Sequence, residues 1–432
     1  MFYFLFSLVQ AEPLSLSQTL TLVQTQNPEV QLARLDLDRA NLEKLKSLSM
    51  LAPSIEAKSS WLDFGEPLEV NLLGDSTEAL DCSTFEAFGM GDLCTSFSEP
   101  MLLRDAKIYD GSIQAVLPLS ALYSIYQGYQ ANRYLYQHKE LETEQLQHQI
   151  QAQVIEIYLQ SLHLEKIMHF TDDSIRRLEH NQQKVDAFVR QDLLHPLENK
   201  RLKKAMAEVS LAKLQAQQGR ELLLQQLELL LGQKIEPIPL DKIPIIESEV
   251  RLAQTPQMQI AQYQQQAAQA GYLASVGQLV PSVVLLGAMT SAQGQGALTP
   301  TEQKYVGIAL QGNLNWGQKL IESKQAKLNV EMAKKGVALQ EKGLALQAKA
   351  LKNEWIIAKE QETIALYQVQ ISEEYYRQQQ EKFDQQLITV AELIDAENEH
   401  LKAALALSQA QTNVIITLSK YQYTFSQPIQ FE

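Results

Sequence analysis

"NPEVQLARLDLDRANLEKLKSLSMLAPSI" (Asn27 to Ile55) and "TPQMQIAQYQQQAAQAGYLASVGQLVPSV" (Thr255 to Val283) decide the fold, because the chain writes the same pattern twice. They align without a gap. Pro28 falls on Pro256 and Pro53 on Pro281, and Ala33, Ala40, Leu45, Ser47 and Leu51 fall on Ala261, Ala268, Leu273, Ser275 and Leu279. Each copy reads as a helix that opens near its first Pro and stops before its second, since Pro suits a first helical turn and breaks a helix interior.

Outward from each copy the period changes from helical to two. In "PSIEAKSSWLDFG" Ile55, Ala57, Ser59 and Trp61 alternate with Glu56, Lys58 and Ser60. In "IYDGSIQAVLPLS" Tyr109, Ile113, Ala115 and Leu117 alternate with Asp110, Ser112 and Gln114. The second copy continues as "PSVVLLGAMT", a short Gly-rich loop and "YVGIALQGNL", where Val306, Ile308 and Leu310 alternate with Gly307, Ala309 and Gln311. Period two gives one apolar face and one polar or small face. Runs of about 10 residues have the length of a tilted membrane-spanning strand.

Long helices follow. Neither Gly nor Pro interrupts Tyr129 to His195, roughly 100 Å of helix at 1.5 Å per residue, and the same holds from Leu344 to Gln427. Both runs are rich in Gln, Ala, Leu, Glu and Lys, with apolar positions recurring at three or four, a coiled-coil composition. The expected class is mixed α and β, mainly α. Residues 12–232 form a first repeat, with strands near 53–64 and 108–119 and a helical hairpin near 122–231. A proline-rich connector spans 233–250. Residues 251–427 form the second repeat, with strands near 281–290 and 304–314 and a hairpin near 317–427, and 428–432 are a tail.

Composition narrows the function. A 432-residue chain that is 45% hydrophobic can bury a sizeable core, and a net charge of −14 excludes a nucleic-acid partner, which needs a basic footprint. Cys82 and Cys94 in "DCSTFEAFGMGDLC" do not have zinc-site spacing and read as a disulfide in an oxidising compartment. "FYFLFSLVQA" reads as a signal-peptide remnant over 1–11, with Val9 and Ala11 as the small residues before cleavage, although no Lys or Arg precedes it. No run reaches the roughly 18 apolar residues of a membrane-spanning helix. Four membrane-length strands leave two unpaired edges, so a bilayer-spanning sheet must be closed by further copies, and three copies give a plausible twelve-stranded barrel.

These repeats resemble the TolC-type outer-membrane efflux proteins. "LPL" (Leu117 to Leu119) and "LNWGQ" (Leu314 to Gln318) stand where that family has a strand-to-helix motif close to P-L-F-D-G-G. "FDQQLITVAELIDAENEHLKAA" resembles its last helix-helix turn, where a Gly is usual and this sequence has Gln386. The resemblance implies a homotrimer in the outer membrane: a twelve-stranded barrel continued by a long α-helical coiled-coil barrel across the periplasm. It also implies a periplasmic adaptor and an inner-membrane pump as partners, outer-membrane lipid around the barrel, no cofactor, and a role as exit duct for efflux or type I secretion. By motif position Glu392 and Asp395 match the acidic residues that line the aperture at the helix tips. Glu198, after the first tip "VRQDLLHPLENK", matches the acidic position less well.

Each site has a plainer reading. Glu392 and Asp395 also suit a solvated helix face. Glu397 and His400 have the Glu-x-x-His spacing of a di-iron site, but the second motif and the two further glutamates are missing. His163 and His169 read as ordinary helix residues. Trp61, Tyr109, Tyr305 and Trp316 lie near strand ends, where membrane-interface aromatics sit. No phosphate loop or nucleophile motif supports an enzyme. A periplasmic coiled-coil scaffold or adaptor is the competing function; it would flank one hairpin with compact β domains rather than repeat hairpin and strands twice.

Overall fold

The computed structural model describes residues 12–70, 101–239, 252–294, 300–311 and 316–425. The signal-peptide remnant, both cysteines and most of the acidic segment between the first two strands lie outside them, as do 428–432. In chain order the elements are β1 (Glu12–Leu14), α1 (Leu16–Gln26), α2 (Pro28–Ser49), β2 (Ser54–Asp63), β3 (Leu68–Val70), β4 (Met101–Arg104) and β5 (Lys107–Pro118). Then come α3 (Leu122–Arg190), α4 (Leu197–Leu231), β6 (Ile235–Pro237), α5 (Pro256–Gly277), β7 (Ser282–Gln293), β8 (Glu302–Gln311), α6 (Trp316–Asp384) and α7 (Val390–Thr424). The duplicated helix, strand pair and hairpin expected from the sequence are all present. The chain divides into two units, one holding the sheet (42–134 and 266–332) and one holding most of the helices.

In the sheet unit four antiparallel strands lie in the order β2-β5-β7-β8. The register sets Ile55 beside Ala115, Ala115 beside Gly287 and Gly287 beside Val306. Ile55, Ala57, Trp61, Ile113, Leu117, Val306, Ile308 and Leu310 therefore share one face. Glu56, Lys58, Gln114, Ala288 and Tyr305 share the other. The apolar face is uncovered: Val306 is 82% exposed, Ile55 73% and Leu310 72%.

In the helical unit a buried cluster joins Leu16, Leu20 and Val23 of α1 to Val154, Ile155 and Tyr158 of α3 and to Leu227 and Leu231 of α4. Tyr158 pins the two short strands that pair parallel as β1 and β6. Its hydroxyl accepts from the Ile238 N–H at 2.8 Å and lies 2.9 Å from the Leu14 carbonyl, to which it can donate. Burial pushes its pKa up to about 12, so it remains a protonated donor. A second cluster near the hairpin turns joins Leu178 and Val185 of α3, Leu202 and Ala205 of α4, Phe383 of α6, and Val390 and Leu393 of α7.

Asn27, first residue of the repeated motif, explains where α2 begins. Its Oδ1 accepts from the Glu29 and Val30 N–H groups at 2.9 and 3.1 Å, capping the helix. Its Nδ2 donates to the Leu230 carbonyl at 2.9 Å, so the same side chain ties the start of α2 to the end of α4. The end of α4 turns at Gly232, whose φ of 73° is the left-handed cap that glycine adopts without penalty. The second repeat makes an equivalent tie by another residue, with the Gln257 amide donating to the Thr424 carbonyl at the end of α7. Replacing Asn27 by Ala removes a cap and leaves the half-buried Leu230 carbonyl without its side-chain partner. Thermal or denaturant unfolding should show a loss of about 1–3 kcal/mol, and Asn27→Asp, which keeps the cap alone, should recover part of it.

Candidate functional site

The two hairpin turns have the same backbone. The first helix ends with Asp192 at φ 55°, and the second with Gln386 at φ 59°. Around each, two hydrogen bonds cross the turn. Leu193 N–H donates to Phe188 O at 2.9 Å and Asp192 N–H to Val189 O at 3.1 Å. Leu387 N–H donates to Lys382 O and Gln386 N–H to Phe383 O, both at 2.9 Å. This is the Schellman termination, which satisfies the last helical carbonyls and usually uses glycine at the left-handed position. The missing glycine therefore leaves the turn unchanged and puts Gln in a left-handed backbone. Gln386→Gly should stabilise the protein by about 0.5–1 kcal/mol. Gln386→Val should destabilise it, because a β-branched residue resists positive φ; unfolding midpoints of the two variants give the comparison.

After each turn comes the acidic position. Glu392 is the third residue of α7, and it is committed to the cap. Thr389 N–H donates to its Oε2 at 2.7 Å, the Thr389 hydroxyl donates to the same oxygen at 2.9 Å, and Glu392 N–H donates to Thr389 Oγ1 at 3.3 Å. The backbone N–H of Thr389, then its hydroxyl, hold the Glu392 carboxyl below the usual carboxylate range. The group is exposed and ionised at neutral pH. The stability it lends the helix start is present above the ordinary carboxylate pKa and is lost as pH falls through the depressed value. The signal was in the sequence as Thr-x-x-Glu, a capping box. Asp395, one turn on, is exposed and makes no ion pair among the described residues.

The first turn places Glu198 six residues after Asp192, as Glu392 stands after Gln386. There the charge is answered: Arg201 lies 3.2 Å from Glu198, at the position equivalent to Asp395. The two hairpins thus share a backbone and differ in charge, with the uncompensated acid on the second.

Glu397, in the same acidic stretch, has a different role. It is fully buried and receives the Arg177 guanidinium from α3, with Nη2 at 2.8 Å and Nε at 3.0 and 3.1 Å. Tyr376 of α6 lies under that guanidinium, 5.7 Å away, and stacks on His400 at 5.9 Å. Burial pushes the Tyr376 pKa up to about 12, reinforced by Glu397. Burial and Arg177 push His400 below its ordinary value, against Glu397 and Glu373. The partners are 220 residues apart, and no spacing in the sequence announces the pair. Glu397 is taken up by Arg177 and His400 stacks on Tyr376, and no group of three or more potential metal ligands occurs among the described residues. His163 is buried, with Nδ1 2.8 Å from Ser408 Oγ. Arg177→Met should cost about 3–5 kcal/mol by leaving the buried Glu397 charge unpaired, Glu397→Leu should cost less because the Arg177 side chain is 32% exposed, and the double variant should recover most of the loss; a double-mutant cycle by denaturation measures this.

Of the strand aromatics, Trp61 and Tyr109 are direct cross-strand neighbours and both exposed. Tyr305 pairs with Ala288 and falls on the opposite, polar face. Trp316 begins α6, and its side chain lies outside the described residues. No described helix is long and apolar enough to cross a membrane.

No family model and no curated protein matches the chain. Solved structures do. The chain is similar to the outer-membrane channel OprN (TM-score 0.78, 16% identity, covering 95% of this chain and 90% of that one). It is similar to the CmeC outer membrane channel of Campylobacter jejuni (0.76, 12% identity, 96% and 86%). It is also similar to the outer membrane protein VceC of Vibrio cholerae (0.75, 14% identity, 96% and 97%). The chain has the fold of these outer-membrane channels over nearly its whole length.

Proposed function

We propose that the protein is an outer-membrane exit duct, in which copies of the chain close a β-barrel continued by a helical barrel. The observation that carries this reading is the sheet: four strands of membrane length with a bare apolar face, a polar opposite face and two outer strands that have no neighbour among the described residues. Water penalises such a face, and a bilayer welcomes it only if every edge is paired. Three copies give twelve strands, a size known for such barrels.

The helices carry a matching pair of edges. On α6 one seam is buried within the chain at Val330, Leu344 and Trp355, and a second, on the opposite side, is exposed at Leu328, Met332, Leu339, Leu346, Ile357 and Ile364. Exposed leucines also run along α2 (Leu35, Leu42) and α4 (Leu211, Leu214, Leu222). The exposed seam of α6 in one copy against the exposed leucines of α2 and α4 in the next would be a head-to-tail contact, which closes as a ring.

In that ring the second hairpin turns bring Glu392 and Asp395 of every copy toward one aperture, whereas Glu198 is neutralised by Arg201. We infer a passive duct, consistent with a sequence that carries no Gly-rich phosphate-binding motif. An inner-membrane pump and a periplasmic adaptor would drive and complete it, as part of a tripartite efflux or type I secretion system. Trp61 and Tyr109 would lie at a membrane interface, and Cys82 and Cys94 would staple the loop between β3 and β4.

The test is conductance across a planar bilayer. Carboxylates at a constriction favour cations, so the wild type should be cation-selective and lose that preference as pH falls into the carboxylate range. Glu392→Gln with Asp395→Asn should lose most of the selectivity at neutral pH with assembly unchanged. A protein that forms no pores, or pores of equal selectivity in both versions, contradicts the duct or its aperture respectively.

A further inference from the structure

Three of the seven histidines stand on the seam between α3 and α7, where the first repeat meets the second. His148 of α3 meets the Tyr423 ring edge-on, with centroids 6.1 Å apart. About 22 Å further along the helix, His163 has Nδ1 2.8 Å from Ser408 Oγ. About 21 Å beyond that, Arg177 meets Glu397, and His400, one turn after Glu397, stacks on Tyr376 with the rings 13° from parallel. The α7 partners descend from Tyr423 through Ser408 to Glu397 as the α3 residues ascend, so the helices run antiparallel with a histidine at each of three spaced levels. Of the other four histidines, His138 lies 3.3 Å from the Ile260 carbonyl of α5, and His169, His180 and His195 are exposed.

The seam suits neutral rings. His163 is 7% exposed, His148 and His400 are half-buried, and Nδ1 of His400 is itself buried without a hydrogen-bond partner. A charge placed there loses water without gaining a dedicated counter-ion. His148 has Glu144 on its own helix and the Tyr423 ring from α7. His163 borders a cavity of about 530 Å³ whose titratable lining is Glu165, Lys166 and His169 of α3 and Glu362 of α6. His400 borders one of about 490 Å³, lined by Lys166, His169, Asp173 and Arg177 of α3 and Glu373 of α6, with Glu397 on its own helix. Three of these acids are already engaged: Glu165 by Arg220, Asp173 by Arg176 and Glu397 by Arg177. The acids do not outweigh burial, which holds all three rings below the ordinary histidine value.

We propose that the α3–α7 seam is an acid-sensitive joint between the two repeats: with its three histidines neutral the hairpins close on one another, and when these rings take up protons the hairpins part along the seam while each stays helical. The two cavities have polar linings and room for water, so parting starts from an existing gap rather than from close-packed core. The stability that a depressed ring lends the closed seam is present above the ordinary histidine value and is lost as pH falls through the lowered one. All three rings act in the same direction. The ion pairs Arg177–Glu397 and Lys420–Glu156 persist until carboxylates titrate at lower pH, so the window belongs to histidine. The inference goes beyond the duct reading: it concerns contacts within one chain and holds whether or not copies close into a ring.

The experiment is amide hydrogen exchange of the detergent-purified protein, read by mass spectrometry at about pH 7.5 and about pH 5.5 and corrected for the intrinsic effect of pH. Protection in the α3 and α7 peptides that hold His148, His163 and His400 should fall about tenfold or more at the lower pH, with α5 and the sheet unchanged. The variant His148→Phe, His163→Gln, His400→Phe keeps the ring and hydrogen-bond contacts without the charge, and should retain its protection in acid. Carbon-2 hydrogen exchange of the histidine rings in the unaltered protein reads each residue separately, so the matter is decided even if the variant does not fold. There the three seam rings should titrate below His169, His180 and His195. Equal protection at both pH values, loss spread evenly over all helices, the same loss in the variant, or seam rings that titrate together with the exposed ones would overturn the proposal.

Discussion

Backbone polar groups at a sheet edge need partners, and the described residues supply none at the two edges of this sheet. β2 and β8 are the outer strands of a sheet whose apolar face, from Ile55 to Leu310, is exposed. In hydrocarbon each unpaired N–H or C=O costs several kcal/mol. The second seam on α6 repeats the same incompleteness in the helices. Both would be resolved by the same operation proposed above, the addition of further copies edge to edge, and a ring closed in that way leaves a passage along its axis.

Duplication makes this arrangement from one modest unit. Each repeat runs helix, strand, strand and long hairpin, then ties the start of its first helix to the end of its hairpin, through Asn27 and Leu230 in one case and Gln257 and Thr424 in the other. The hairpin turns likewise keep one backbone solution with different residues, Asp192 and Gln386 both accepting positive φ. Charge is where the repeats part. The first turn balances Glu198 with Arg201, and the second leaves Asp395 unanswered beside a capping Glu392. A symmetric scaffold thereby presents asymmetric chemistry at its ends. The Arg177–Glu397 pair joins the two hairpins across α3 and α7.

Much of the fold could be read from the sequence because it is carried by periodicity. The two Pro-bounded helices, the alternation at Ile55–Trp61 and Val306–Leu310, and the uninterrupted hairpins all appear where those patterns place them. The site was less legible. The position of Glu392 could be found from the helix-helix turn, and its capping role was present as Thr-x-x-Glu. The buried role of Glu397 was not, since an ion pair between helices leaves no trace in local spacing. Tyr305 shows the same limit: its place near a strand end was readable, but only the register with Ala288 tells which face it takes.

Self-closure is the central claim, and native mass spectrometry of the protein released from detergent micelles tests it most directly. The account predicts a single dominant species at three times the mass of the mature chain, dissociating to monomers only as the detergent is made harsher. A stable, monodisperse single chain under mild conditions would contradict it, because the edges of the sheet and the exposed seam of α6 would then have to be satisfied in some other way.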